Sequence, residues 1–346
     1  MASVKVQPTL EPIIKLKVSS TDNGNRLDVF IAKNVPALSR AKVQKLIESN
    51  YIEVLHGAET VLPKSDYKVK ADDVIILHET NITAELDLVA TPMPIQILYE
   101  DDKLLLINKP WGLVVHPGAG NVTNTLVNGL IYKYGKGLSG VNGEFRAGIV
   151  HRLDKDTSGI LVVAKDDATH NFLAKQFQEH SIVRKYRALV WGVPKAFGEI
   201  TTHITRNESN RQKMVTHSSK GKIATTMYKV IESYGNYFSL IDVSLKTGRT
   251  HQIRVHMAAL GHAVVGDPLY GKKHKVVNLP PLILNLINGL SHQALHAYKL
   301  GFIHPNGQYL QVEEPEPADL QIVYKELFSH YINLVKSKVM IEEKNG

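Results

Sequence analysis

The stretch GIVHRLDKDTSGILVVAK, residues 148–165, sets two apolar runs around a knot of charge. Residues 149–150 and 160–164 are short, β-branched runs bounded by Gly, which predicts two strands that approach or enter a core. Between them stand His151, Arg152, Asp154, Lys155 and Asp156. A hairpin needs only a turn dipeptide, so five ionisable groups within six residues exceed what geometry requires. A solvated loop tip is the ordinary explanation of such a run; a reactive loop is the other, and the surrounding chain has to separate them.

At 346 residues the chain has room for a large catalytic domain and a small module, because single cores rarely grow past roughly 250–300 residues. Hydrophobic content of 43% and charged content of 21% suit a folded protein, with no low-complexity tract. No apolar run approaches the ~18 residues of a membrane span, and the first residues lack a secretory pattern, so the expected location is the cytoplasm. The absence of Cys excludes disulfides and thiolate chemistry. Lys plus Arg total 41 against 33 Asp plus Glu, and the net charge of +8 favours a polyanionic partner, although solubility alone would also account for it.

Between residues 24 and 77, Leu27, Val29, Phe30, Leu38, Val43, Leu46 and Ile47 recur mostly at spacings of three and four. This predicts two short amphipathic helices broken by Pro36, the second capped by Ser39 and turning Arg40, Lys42 and Lys45 outward. YIEVL, residues 67–69 and VIIL predict brief strands. GNRLDVFIA, LSRAKVQKLIESNYIEV and VKADDVIIL together resemble an S4-type RNA-binding domain. The match departs at Asn50 and at His56-Gly57, where that family usually carries a Gly and an Asn-Gly turn. The resemblance implies RNA contacts from Arg26, Arg40, Lys42 and Lys45. The expected organisation is an S4-like domain at 16–80, a connector at 81–93, a catalytic domain at 94–332 and a tail at 333–346.

The larger part runs through strand-like LLLINKP, a helix around 125–134, a helix at 168–179, then KYRALVWG, ATTMYKVIESY and LHAYKLGFIHP. Runs of strands with helices to the sides predict an α+β fold with a mixed, largely antiparallel sheet. Residues 271–290 read as a surface excursion.

Several familiar chemistries fail on spacing. GLVVHPGAG lacks the Lys-Ser/Thr of a phosphate loop and reads as a tight turn. His251, His256 and His262 lack the helical pair and Glu of a zinc hydrolase, and no metal site is expected. Ser158 lies in DTSG, outside a nucleophile elbow. What remains is carboxylates beside arginines and a tyrosine, an inventory that suits a carboxylate nucleophile or general acid–base work.

HRLDKDTSG, RKYRALVWG and TGRTHQIRVH, in that order, are similar to the signature of the RluA family of pseudouridine synthases, and the S4-like front favours its RluD-like branch. The resemblance implies isomerisation of uridine in large-subunit ribosomal RNA without cofactor; the expected partner is that RNA or a pre-ribosomal particle, and a monomer is expected although the sequence leaves oligomeric state open. By position it makes Asp154 the essential carboxylate, Arg254 its counter-charge, Tyr186 the ring that packs on the base and Ile253 the opposite wall. Arg152 matches an Arg that enters the gap left by a flipped nucleotide, while His151, Lys155 and Arg249 are candidates for phosphate contact. Asp156 is expected to accept hydrogen bonds that fix the loop. Whether the carboxylate adds covalently or removes a sugar proton stays open. A non-catalytic RNA-binding assembly factor, and a metal-dependent hydrolase built on the His cluster, are the alternatives from other classes.

Overall fold

The computed structural model describes residues 12–345 apart from 36, 37, 39, 58, 65, 79–88, 118–120, 122, 136, 142–146 and 272–278, with backbone alone at 12, 13, 41, 42, 45 and 334–345. It divides between Asp87 and Leu88 into two compact units. Pro36, the Ser39 cap and the side chains of Lys42 and Lys45 therefore lie outside the described residues, as do positions 81–88 of the connector.

The smaller unit contains β1 (Pro12–Lys17), α1 (Leu27–Asn34), α2 (Arg40–Glu48), β2 (Ile52–His56), β3 (Glu59–Val61) and β4 (Val74–His78). Its strands pair antiparallel in the order β1-β4-β2-β3. Leu27, Phe30, Ile31, Val43, Leu46 and Ile47 from the two helices pack on Ile52, Val54, Ile75 and Leu77 of the sheet, so the three-and-four spacing marks the buried face. Two expectations change. The unit begins at β1, ahead of residue 16, and Lys68 makes only an isolated bridge to Arg26 instead of lying in a strand.

The larger unit comprises β5 (Gln96–Glu100), β6 (Leu104–Lys109), α3 (Leu126–Tyr134), β7 (Ser158–Ala164), α4 (Asp167–Gln178), β8 (Val183–Trp191), β9 (Phe197–Arg206), β10 (Met214–His217), β11 (Lys222–Tyr234), β12 (Phe238–Leu245), α5 (Gln252–Ala259), α6 (Pro281–Gly289), β13 (Leu295–Ile303), β14 (Tyr309–Glu313) and α7 (Ala318–Asn345). The fold is α+β. Nine strands run β10-β9-β11-β12-β8-β13-β7-β6-β5, and β14 pairs with β13. The pairings are antiparallel except β13 with β7.

In β6 and β7 alternate residues enter opposite cores. Leu105, Ile107, Leu161 and Val163 join one apolar cluster, and Leu104, Leu106, Ile160 and Val162 the other. A strand covered on both faces has no polar side, which is why LLLI and ILVV read as unbroken apolar runs. Thr125 caps α3 through reciprocal bonds with Asn128, and that same Asn128 binds the carbonyl of Val89 and accepts from the N–H of Thr91. The end of the connector is thus tied to α3.

Three details depart from the sequence reading. Ile149 forms only an isolated bridge with Val163, so residues 151–157 enter the sheet as a loop with one full strand, β7, behind them. Within the expected excursion, residues 272–278 lie outside the described set, but α6 is core: Ile283 and Ile287 join Leu320, Val323 and Leu327 of α7 in the main cluster. α7 itself runs through position 333 to Asn345, so the expected tail continues a helix.

Candidate active site

Three pieces of chain, the 151–157 loop, β8 with Tyr186, and the segment joining β12 to α5, meet at a cavity of about 530 Å³ that the end of α4 and Leu295 of β13 also border. That size lies within the range of small-ligand sites.

Each piece is fixed by local chemistry. Gly159 has φ +120°, and a Cβ there would strike the backbone of Ala297, so glycine lets the loop enter β7 against β13. Lys109, fully buried at the end of β6, donates from Nζ to the carbonyls of Pro110, Leu113 and Lys155 at 2.8, 2.9 and 2.9 Å. Burial pulls its pKa down to about 7, while Asp154 and Asp156 pull the other way, and three carbonyl acceptors require the three hydrogens of the ammonium form. The TGRT turn is pinned by Gln252, whose Oε1 accepts from Thr247 Oγ1 and the Arg249 N–H while its Nε2 donates to Thr225 O and Thr226 Oγ1.

At the centre is Arg254. Its Nε and Nη2 donate to Asp267 at 2.7 and 3.0 Å, and Nη1 donates to Asp154 Oδ2 at 3.0 Å. The guanidinium also lies 5.2 Å from the centre of the Tyr270 ring. Burial disfavours its charge, but Asp267 and Asp154 outweigh burial and raise its pKa above the ordinary arginine value. Side-chain exposure separates the two carboxylates: 0% for Asp267, 16% for Asp154. Asp267 is saturated further by the N–H groups of Leu269 and Tyr270. Asp154 has one hydrogen bond to its carboxylate among the described residues and faces the cavity.

Tyr186 and Ile253, both buried, line the same cavity and offer it an aromatic and an aliphatic wall. Burial pushes the Tyr186 phenol up, which keeps it neutral. Arg152 and Arg249 line the cavity too; Arg152 is exposed, and Arg249 is anchored by its Nε to the Ile223 carbonyl at 3.0 Å.

Other expected contributors are placed differently. The His151 ring stacks on Phe177, and its Nε2 accepts the Val162 N–H at 3.1 Å. Burial, with Arg184 adding to it, lowers its pKa to about 3, so the ring is neutral and braces the loop through Nε2 while standing in the cavity lining. Lys155 is exposed outside the cavity lining and contributes its carbonyl to Lys109. Asp156 accepts no hydrogen bond among the described residues; its charge bears on the Lys109 ammonium, so the loop is fixed by a buried cation in place of that acceptor. Arg26 and Arg40 both hydrogen-bond the buried Asp28 while their own side chains stay at the surface.

Sequence reasoning missed Lys109, Asp267 and Tyr270. The one available signal was Lys109, a cation closing an otherwise apolar strand.

The profile of the RNA pseudouridylate synthase family matches residues 103–259, a span that holds Asp154, Tyr186 and Arg254. Ribosomal large subunit pseudouridine synthase D of Zymomonas mobilis is 44% identical over 306 residues, covering 88% of this chain and 94% of its own. The chain belongs to the RNA pseudouridine synthase family. The uncharacterized RNA pseudouridine synthase YlyB of Bacillus subtilis is 41% identical, covering 89% of this chain and 95% of its own. Among solved structures, human RNA pseudouridylate synthase domain containing 4 aligns with a TM-score of 0.52 at 26% identity, over 67% of this chain and 92% of its own. The synthase is therefore an enzyme acting on RNA, and this displaces both the non-catalytic binding factor and the metal-dependent hydrolase. Among the described residues no helix is long and apolar enough to cross a membrane.

Proposed function

We propose that this synthase isomerises specific uridines in large-subunit ribosomal RNA, with Asp154 as the reacting group. The observation that carries the assignment is the unequal sharing of Arg254. Asp267 takes two of its hydrogen bonds in full burial, and Asp154 takes one while facing the cavity. A cation at contact distance favours the charged carboxylate, and the open side leaves it available to substrate.

A uridine stacked or paired in RNA must leave its helix before its sugar can reach Asp154, which costs a few kcal/mol. Arg152 fits the vacated gap, and Tyr186 and Ile253 receive the base. The N-glycosidic bond then breaks, the uracil turns, and a carbon–carbon bond to the sugar forms. Attack by the carboxylate and removal of a sugar proton both need Asp154 ionised beside the sugar.

The wider RNA is gripped by charge. Residues 206–222 carry Arg206, Arg211, Lys213, Lys220 and Lys222 against the single acid Glu208, and the S4-like unit adds a second RNA surface. The reaction belongs in the cytoplasm, carried out by a monomer.

Mapping pseudouridines in ribosomal RNA from cells lacking the gene, complemented with wild type or with Asp154→Asn, tests the assignment. Defined positions should lose the modification, and wild type alone should restore them. An unchanged map without the gene would show that the substrate is another RNA.

A further inference from the structure

His251 stands at the first turn of α5 in a left-handed conformation, φ 56°, and its side chain makes no cap hydrogen bond. A non-glycine residue in that region is strained, so the surroundings must hold it there for another reason. Its ring is hydrogen-bonded at one nitrogen and faces a carboxylate with the other. Nδ1 lies 2.9 Å from the Tyr270 hydroxyl, and Nε2 lies 4.0 Å from Asp154 Oδ2.

The hydrogens can be placed by counting donors. The Met214 N–H donates to the Tyr270 hydroxyl at 2.7 Å. The phenol is kept protonated by burial, and His251 Nδ1 is the hydrogen-bond acceptor within its reach among the described residues. Nδ1 therefore accepts, and in a neutral imidazole the hydrogen then sits on Nε2. The other end gives the same answer independently, because a carboxylate near Nε2 favours a donor there over a lone pair. Burial is the main reason the ring is neutral; Arg254 and Arg152 act in the same direction, and Asp154 and Asp267 act against it.

We propose that His251 is a positioning residue for Asp154: Tyr270 and the Met214 N–H fix its tautomer, so that Nε2–H and Arg254 Nη1–H converge on Oδ2 and leave Oδ1 to the nucleotide. The inference deepens the functional assignment and rests on Asp154 being the reacting group. Arg254 hydrogen-bonds Oδ2 at 3.0 Å, while Nε2 faces the same oxygen at 4.0 Å, beyond hydrogen-bond length, so in the free protein the histidine acts on the carboxylate by charge–dipole attraction. The contact at Nε2 strengthens when a nucleotide displaces water and lowers the local dielectric.

Two measurements test it. In wild-type synthase with 15N-labelled histidine, long-range proton–nitrogen correlation should show His251 protonated at Nε2 and bare at Nδ1, with the signal assigned by its loss in His251→Gln. Tyr270→Phe should shift the ring toward the other tautomer. A wild-type ring protonated at Nδ1 overturns the proposal.

The kinetic arm uses two amides. Gln carries its N–H near the position of Nε2 and Asn near that of Nδ1, although Asn is the better residue for left-handed backbone. His251→Gln should retain kcat within about threefold, whereas His251→Asn should lose roughly tenfold with KM unchanged. Asn matching or outperforming Gln overturns the role, because it would trace the effect to the helix start or to Tyr270. Should Asp154→Asn prove active, the functional assignment fails while the tautomer result still stands alone.

Discussion

Two ionic clusters in this chain are near mirror images. In the smaller unit one carboxylate, Asp28, is surrounded by donors: Arg26 at 3.0 Å, Arg40 at 2.9 Å and Gln44 at 2.8 Å, with the Asp28 side chain 0% exposed. In the larger unit one guanidinium, Arg254, is shared between two carboxylates. The first arrangement saturates the acid and leaves cations at the surface. The second saturates the cation and one acid, and leaves the other acid facing a cavity. Identical residue types thus give a structural knot in one place and a reactive group in the other. What differs is which partner is in excess and which has access to a ligand.

The largest effect should come from removing the unsaturated acid. Asp154→Asn keeps shape and most polarity but deletes the reactive charge, so turnover of a uridine-containing RNA should fall at least about 10³-fold, a barrier rise of ~4 kcal/mol. RNA affinity should change little. Tritium release from 5-labelled uridine measures the first and filter retention the second. Asp156→Asn serves as the matched control and should keep substantial turnover, since Asp156 accepts no hydrogen bond among the described residues. Equal loss in both variants would mean that the loop, and not one carboxylate, is what the reaction needs.

Next comes the saturating acid. Asp267→Asn leaves Arg254 buried with Asp154 as its one remaining carboxylate, and breaking a buried pair from one side costs about 3–5 kcal/mol in general. The partner that remains should hold the loss of stability to the lower part of that range. Activity should also fall, roughly tenfold, because the freed guanidinium turns on Asp154 and occupies oxygens the substrate needs. Thermal unfolding and single-turnover rates read the two effects separately. A stable variant with wild-type turnover would show that the unequal sharing of Arg254 has no role in catalysis.

How much of this was legible follows from distance along the chain. The α+β class, both small helices and the loop around Asp154 announced themselves by periodicity and by charge density within a few neighbours. Arg254 was placed beside Asp154 by resemblance of motifs, across 100 positions. Asp267 and Tyr270 sit in the short segment 266–270 of ordinary composition, and only the fold reveals that it closes on Arg254, the single arginine of α5. Lys109 was hidden for the same reason, since its partner in the loop, the Lys155 carbonyl, is a backbone atom and leaves no mark in sequence. Arg40 does turn outward, as its helix position predicts, but its hydrogen bond to Asp28, twelve residues earlier, leaves no mark in sequence. α6 was lost because its apolar residues follow a segment with no clear pattern, and their burial against α7 is entirely tertiary.

The smallest expected effect on chemistry, and the sharpest test of the comparison, is Asp28→Asn. Arg26, Arg40 and Gln44 outweigh the cost of burying Asp28 and lower its pKa from 3.8 to about 2. A carboxylate depressed in this way adds stability that is fully present above its unfolded value and is lost as pH falls through the folded one. At pH 7 the variant should therefore show faster hydrogen exchange in α1 and α2 than wild type, and the gap should narrow between about pH 4 and pH 2. Turnover of saturating short RNA should stay within about twofold of wild type. Equal protection in both proteins at pH 7 would remove the structural role from Asp28. A large fall in turnover would break the contrast itself, because it would make the saturated cluster part of the chemistry that its geometry, with no oxygen left open to a ligand, does not equip it to perform.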